Sequence, residues 1–150
     1  MMATIEIPHA LETASATLVD GMHFAGTIGE FHIDVDATRE SGGVGAGPQP
    51  MRLVLLGLAS CTGMDVAAIL RKKQQKLTGL TVAVQASRAD EHPRVYTQIN
   101  IIYRLRGKQL DPAAVERAIL LSETRYCPVI AMLGQAAQIS SLYEIEEEVA

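Results

Sequence analysis

Apolar and polar residues alternate along several stretches of the chain and mass together along one. Thr17-Leu18-Val19 and Met22-His23-Phe24 flank Asp20-Gly21, a strong signal for a hairpin with a two-residue turn. Phe31, Ile33 and Val35 then alternate with His32, Asp34 and Asp36, the period of a half-buried strand. The same period returns at Leu80, Val82 and Val84, and again over Val95, Thr97, Ile99, Ile101, Tyr103 and Leu105. Glu91-His92-Pro93 reads as the turn between these two strands, and a last strand is expected over 139–145.

The massed apolar stretch runs from Leu53 to Leu70. Pro50 is suited to a first helical turn, so the pattern predicts a helix from about there to about Lys76, near 40 Å long at ~1.5 Å per residue. It is apolar on nearly every side. It therefore needs cover from its own sheet and from a second subunit. Gly57, Ser60, Thr62, Gly63 and Asp65 interrupt it, which favours a buried helix over a membrane span. The basic end, Arg71 to Lys76, complements the helix dipole. Asp111-Pro112 and Cys127-Pro128 each look like a helix start, with Pro at the first helical position. Val115, Ala118, Ile119 and Ser122 mark the buried face of the first of these helices. Strands, a long helix, strands, two helices and a strand follow in blocks, which indicates an α+β fold.

Composition narrows the picture. The chain has 150 residues, enough for a single domain over 1–150. It lacks Trp and has 4% aromatics, so the core is aliphatic. A net charge of −4 argues against a nucleic-acid surface. The acidic run Glu144 to Glu148 reads as a solvated strand end or tail. Met1 to Ala10 holds Glu6 and Pro8 and lacks a basic n-region, so no secretory leader is expected. That points to the cytoplasm, with neither a nucleic-acid nor a membrane partner.

The chain has two cysteines, Cys61 within the long apolar helix and Cys127 just before Pro128. In a reducing compartment a permanent disulfide is disfavoured, whereas a transient redox pair is compatible with it. The competing reading is two inert core cysteines. Cys127 sits at an expected helix N-cap, where the dipole favours a thiolate, with Arg125 close by. Cys61 lies mid-helix with Asp65 one turn on, and a carboxylate disfavours a thiolate. Local electrostatics thus favour Cys127 as nucleophile. Asp65 needs a partner, for which Arg39, Arg125 or a residue of another chain are candidates. Arg52 is nine residues, or about 13 Å, from Cys61 along the helix and cannot reach it there.

The run Gly43-Val44-Gly45-Ala46-Gly47 stands between a strand and a helix, as a dinucleotide loop does. Its third Gly is misplaced, Pro48 follows, and no βαβ unit surrounds it, so no nucleotide cofactor is expected. His9, His23, His32 and His92 lack metal-ligand spacing, and no metal site is expected.

Two contexts resemble the OsmC/Ohr-like family. One is Gly47-Pro48-Gln49-Pro50-Met51 followed by Ala59-Ser60-Cys61-Thr62-Gly63-Met64-Asp65-Val66. The other is Leu110-Asp111, Val115 to Ala118, Leu121-Ser122 and Tyr126-Cys127-Pro128-Val129, with His92-Pro93 before a long strand. The resemblance covers nearly the whole chain. It implies antiparallel sheets packed around a long central helix in an intertwined homodimer. It also implies reduction of organic hydroperoxides, with Cys61 peroxidatic and Cys127 resolving. The family's peroxidases add an Arg and a Glu near the thiol. Here Met51 occupies the Glu position and the earliest Arg is Arg39. Slow hydroperoxide reduction is the resulting expectation. The alternative is a dimeric protein that binds a small apolar ligand, with cysteines that only pack.

Overall fold

The computed structural model describes residues 11–149. The leader reading of Met1 to Ala10, and His9 with it, lies outside them. The chain forms two compact units, one ending at Leu53 and the other starting at Val54.

The first unit is a three-stranded antiparallel sheet of β1 (Ala14–Asp20), β2 (His23–Ile28) and β3 (Phe31–Val35), in the order β1-β2-β3. Asp20 pairs with His23, so the turn residues are Gly21 and Met22, one position later than Asp20-Gly21. Gly21 takes the left-handed conformation the turn needs, with φ 53°. A 3₁₀ turn at Arg39–Ser41 follows, capped by the Thr38 side chain. The glycine run then closes around Asp36. That residue was expected to point to solvent with the polar set of its strand, and it is fully buried.

The second unit begins in the first turn of α1 (Pro50–Lys72) and continues through β4 (Lys76–Arg88), β5 (Tyr96–Lys108), α2 (Pro112–Leu121), α3 (Pro128–Leu133) and β6 (Gln138–Glu147). Helix α1 ends four residues before the expected Lys76. Gln74 adopts φ 57°, its N–H donates to Arg71 O, and the Gln75 N–H reaches back to Leu70 O. This is a Schellman stop with Gln where Gly is usual, so the sequence carried no stop signal.

Strands β4 and β5 pair antiparallel, whereas β6 lies parallel to β5. The expectation of antiparallel sheets thus holds everywhere except this pair. A parallel neighbour needs a long crossover, and α2 and α3 provide it. Ile99, Ile101, Tyr103 and Leu105 alternate on the buried face of β5, and Val115, Ala118 and Ile119 are buried on α2. From α1, Leu58, Thr62, Val66 and Leu70 are buried at four-residue spacing. They form one stripe along the helix. Val82 of β4 lies so close to Gly63 that an added Cβ there would sit 3.1 Å from its Cγ2. The rest of α1 is half-buried or exposed, with Leu56 58% and Met64 71% exposed. The acidic end of β6 is partly paired across the strand, Glu144 with Arg104 and Glu146 with Arg106.

Candidate thiol site

The second unit brings Cys61 and Cys127 together. Cys61 is carried by the middle of α1 and is partly exposed, whereas Cys127 is buried. Neither is in a disulfide, and the Cys61 side chain is near enough to interact with the Cys127 thiol.

The backbone that delivers Cys127 is unusual. Helix α2 widens at its end into a π turn, Ser122–Tyr126. The Cys127 N–H donates to Ser122 O at 2.9 Å, the i→i−5 bond that defines such a turn. Cys127 then caps α3 as expected, its Sγ accepting from the Ile130 N–H at 3.5 Å. Its thiol does not gain the acidity that position was expected to give. Burial pushes it up to about 11, the Ile130 N–H opposes that shift, and Cys61 raises it further. A helix of six residues has a weak dipole, and the cost of a buried anion exceeds it. The order of reactivity read from local electrostatics is therefore overturned at Cys127.

Beside the sulfurs lies a buried chain of hydroxyl groups. Thr62 Oγ1 is 2.7 Å from Tyr103 Oη and 2.8 Å from Ser122 Oγ. Ser122 donates to Asp65 Oδ2 at 2.9 Å, so Thr62 donates to Ser122, and the single Tyr103 hydrogen is shared between Thr62 and Glu123 Oε1 at 3.2 Å. Thr62, Ser122 and Tyr103 are all fully buried. Burial raises the Tyr103 phenol well above its usual value, with smaller upward contributions from Glu123 and Cys127. Within the second unit Asp65 thus has a hydroxyl partner, Ser122. Arg125, one of the expected partners, instead lies over the Tyr126 ring, 5.5 Å from its centroid. Thr62 and Tyr103 were not recognised from sequence as site residues. Tyr103 did carry a signal, because a phenol on the buried row of a strand needs a hydrogen-bond partner.

One face of α1 continues from this site into a cavity of ≈ 580 Å³ lined by Asp65, Ala68, Ile69, Lys72, Leu121 and Tyr126, among others. Cys61 lies one turn before Asp65 on the same helix stripe. The cavity is mainly apolar, with Lys72 and Lys73 among its lining residues.

The glycine run of the first unit is a different kind of structure. Its backbone N–H groups point inward, not at a ligand. Val44 and Ala46 donate to Asp36 Oδ2 at 2.9 and 3.0 Å, and Ala37 donates to Oδ1 at 2.8 Å. A Cβ at Gly43 would collide with the Ala37 carbonyl oxygen, and one at Gly47 with that of Asp34. These glycines are required for close packing of backbone on backbone. His23 and His32 bond to Asp34 and Thr27 within the first sheet. Among the described residues, no group of three or more His, Cys, Asp or Glu is placed to hold a metal ion.

Comparison with known proteins adds an independent line. The family model described as OsmC-like protein matches residues 41–141. Protein YhfA of Escherichia coli strain K12 is 39% identical over 98 residues, 65% of this chain and 73% of YhfA. A hypothetical protein from Aquifex aeolicus VF5 superposes with a TM-score of 0.84 at 26% identity, covering 94% of this chain and all of that one. An organic hydroperoxide resistance protein OsmC from Legionella pneumophila superposes with a TM-score of 0.66 at 16% identity, over 93% of this chain and 99% of that one. At that identity the last likeness is one of fold.

Proposed function

The chain belongs to the OsmC-like family, and from that premise we propose that it is a thiol-dependent redox protein that reduces organic hydroperoxides through Cys61 and Cys127. The observation that carries this reading is the nearness of two free cysteines that are 66 positions apart in sequence (127 − 61). The hydroperoxide resistance protein among the structural neighbours supports the substrate class.

The exposures favour Cys61 as nucleophile, since a peroxide can reach it and the buried Cys127 is shielded. The Cys61 sulfur attacks the terminal peroxide oxygen. An S–O bond forms, the O–O bond breaks, and the alkoxide leaves as alcohol after taking up a proton. Cys61 is then a sulfenic acid. The Cys127 sulfur attacks that sulfur, an S–S bond forms, and hydroxide leaves as water with the Cys127 proton. Two electrons pass from the dithiol to the peroxide, and an external thiol reductant restores the pair. A thiol raised to about 11 by burial is a poor first nucleophile, and in the resolving step it must give up its proton as it attacks the sulfenic sulfur.

The working unit in this reading is a homodimer in the cytoplasm. Strand β1 is exposed along its whole length, with Leu18 and Val19 in the open, and α1 leaves Leu56 and Met64 uncovered. A second copy of the chain would cover them. A stable monomer at micromolar concentration, seen by light scattering, would contradict this.

The test of the chemistry is one equivalent of cumene hydroperoxide and intact mass. Wild type should lose about two hydrogens per chain. Cys61→Ser should consume no peroxide, and Cys127→Ser should be trapped as the Cys61 sulfenic acid, over-oxidising only when further peroxide is added. If both single variants, Cys61→Ser included, consume peroxide like wild type, the reading is refuted. The cavity beside Asp65 favours a second reading, binding of an apolar ligand with an anionic end near Lys72 and Lys73. Saturable binding of a fatty acid by the Cys61→Ser protein, lost in Lys72→Glu, would support it.

A further inference from the structure

Thr62 and Ser122 have no step in the chemistry above, yet they are fully buried polar groups at its centre. Thr62 follows Cys61 directly on α1. Ser122 opens the π turn, and its carbonyl accepts the Cys127 N–H at 2.9 Å. The 2.8 Å contact between their hydroxyls therefore joins the two elements that carry the two sulfurs. It is held from both sides: Tyr103 of β5 binds Thr62 at 2.7 Å, and Asp65 accepts from Ser122 at 2.9 Å. Apolar residues of similar size would fill the same space without desolvating hydroxyls. What the polar pair adds is direction, since such a bond fixes both distance and angle.

The π turn strengthens the point. Had α2 continued as an α-helix, the Cys127 N–H would have met the carbonyl of Glu123. It meets that of Ser122 instead, one residue further back. The same residue thus anchors Cys127 through its backbone and α1 through its side chain.

We infer that Thr62 and Ser122 are positioning residues for the dithiol: their hydrogen bond holds Cys61 and Cys127 in register and so favours the disulfide over the two thiols. The inference rests on the thiol-redox reading. A disulfide tolerates a narrow range of Cβ separations and torsions. Two thiols held near that geometry have a high effective concentration for each other. Releasing α1 from the π turn lowers it.

The experiment uses the full chain, equilibrated with graded mixtures of reduced and oxidised dithiothreitol and read by intact mass. Thr62→Val keeps the shape and removes the hydroxyl. Its equilibrium constant for disulfide formation should fall roughly tenfold, equivalent to about 30 mV for a two-electron couple. Ser122→Ala should fall by a similar factor. Combining the two should add little, because both remove the same bond. Thr62→Ser keeps the hydroxyl and should stay near wild type. A merely structural role would lower the melting temperature in these variants without moving the equilibrium. An unchanged constant in Thr62→Val and Ser122→Ala would overturn the inference, as would a Thr62→Ser protein that behaves like Thr62→Val. Wild type that forms no intramolecular disulfide in any mixture would instead overturn the redox reading beneath it.

Discussion

The glycine loop around Asp36 and the hydroxyl chain beside Cys61 solve the same problem in opposite ways. Each satisfies polar groups buried within the protein. Around Asp36 the donors are backbone N–H groups within ten residues along the chain, and the carboxylate uses them up. Around Cys61 the partners are side chains from three distant elements, α1, β5 and the π turn. A shell built from backbone is closed and has no group left for chemistry. A shell built from side chains can lie beside a reactive atom without consuming it, and here it lies beside Cys127. A loop that resembles a ligand site in sequence is therefore a structural knot, and the chemistry proposed for this chain sits on an apolar helix.

This contrast can be tested from its strongest consequence to its weakest. Gly47→Ala should have the largest effect, because the new methyl group meets the Asp34 carbonyl and only backbone movement relieves it. Circular dichroism and solubility should report loss of a cooperatively folded first unit. A well-folded Gly47→Ala protein would break the account of the loop. Tyr103→Phe should be milder. It leaves Thr62 and Glu123 without one partner each, at a cost of about 1–3 kcal/mol in urea unfolding.

Acid and alkali should then separate the two regions. The backbone N–H groups of Ala46 and Val44 hold the Asp36 carboxyl below its ordinary 3.8. Its folded value is the lower one, so its contribution is complete above 3.8 and is lost as pH falls through the folded value. Asp36→Asn should flatten that acid limb of melting temperature against pH. Cys127 behaves in reverse. Its folded value of about 11 lies above the ordinary 9.0, so the neutral thiol favours folding. That contribution is complete below 9.0 and is lost as pH rises to about 11. Cys127→Ser should flatten the alkaline limb. An acid limb unchanged in Asp36→Asn, or an alkaline limb unchanged in Cys127→Ser, would count against the corresponding assignment.

Arg125 should matter least. It is exposed and its contact is with the neighbouring Tyr126 ring. Arg125→Ala should change stability by less than about 0.5 kcal/mol. It should also leave the peroxide rate unchanged. A large fall in rate would mean that Arg125 turns onto the thiol during the reaction.

The sequence alone determined the α+β order of elements, the helix starts at Asp111 and Cys127, the family, and the two cysteines as the residues to watch. All of these rest on short-range rules: period-two and helical spacing, an N-cap followed by proline, and motif identity. Tertiary structure decided the rest. It stopped α1 at Lys72 through a left-handed Gln74, which no glycine announced. It laid β6 parallel to β5, a choice made by the crossover of α2 and α3 and not by the strand's own pattern. It reversed the expected acidity of Cys127, because dipole and neighbouring charge are local while desolvation depends on everything packed above the sulfur. It gave Asp65 a hydroxyl partner 57 residues away, beyond the reach of any spacing rule. Local patterns fix which groups a segment offers, and only packing fixes which of them meet and how much water remains between them.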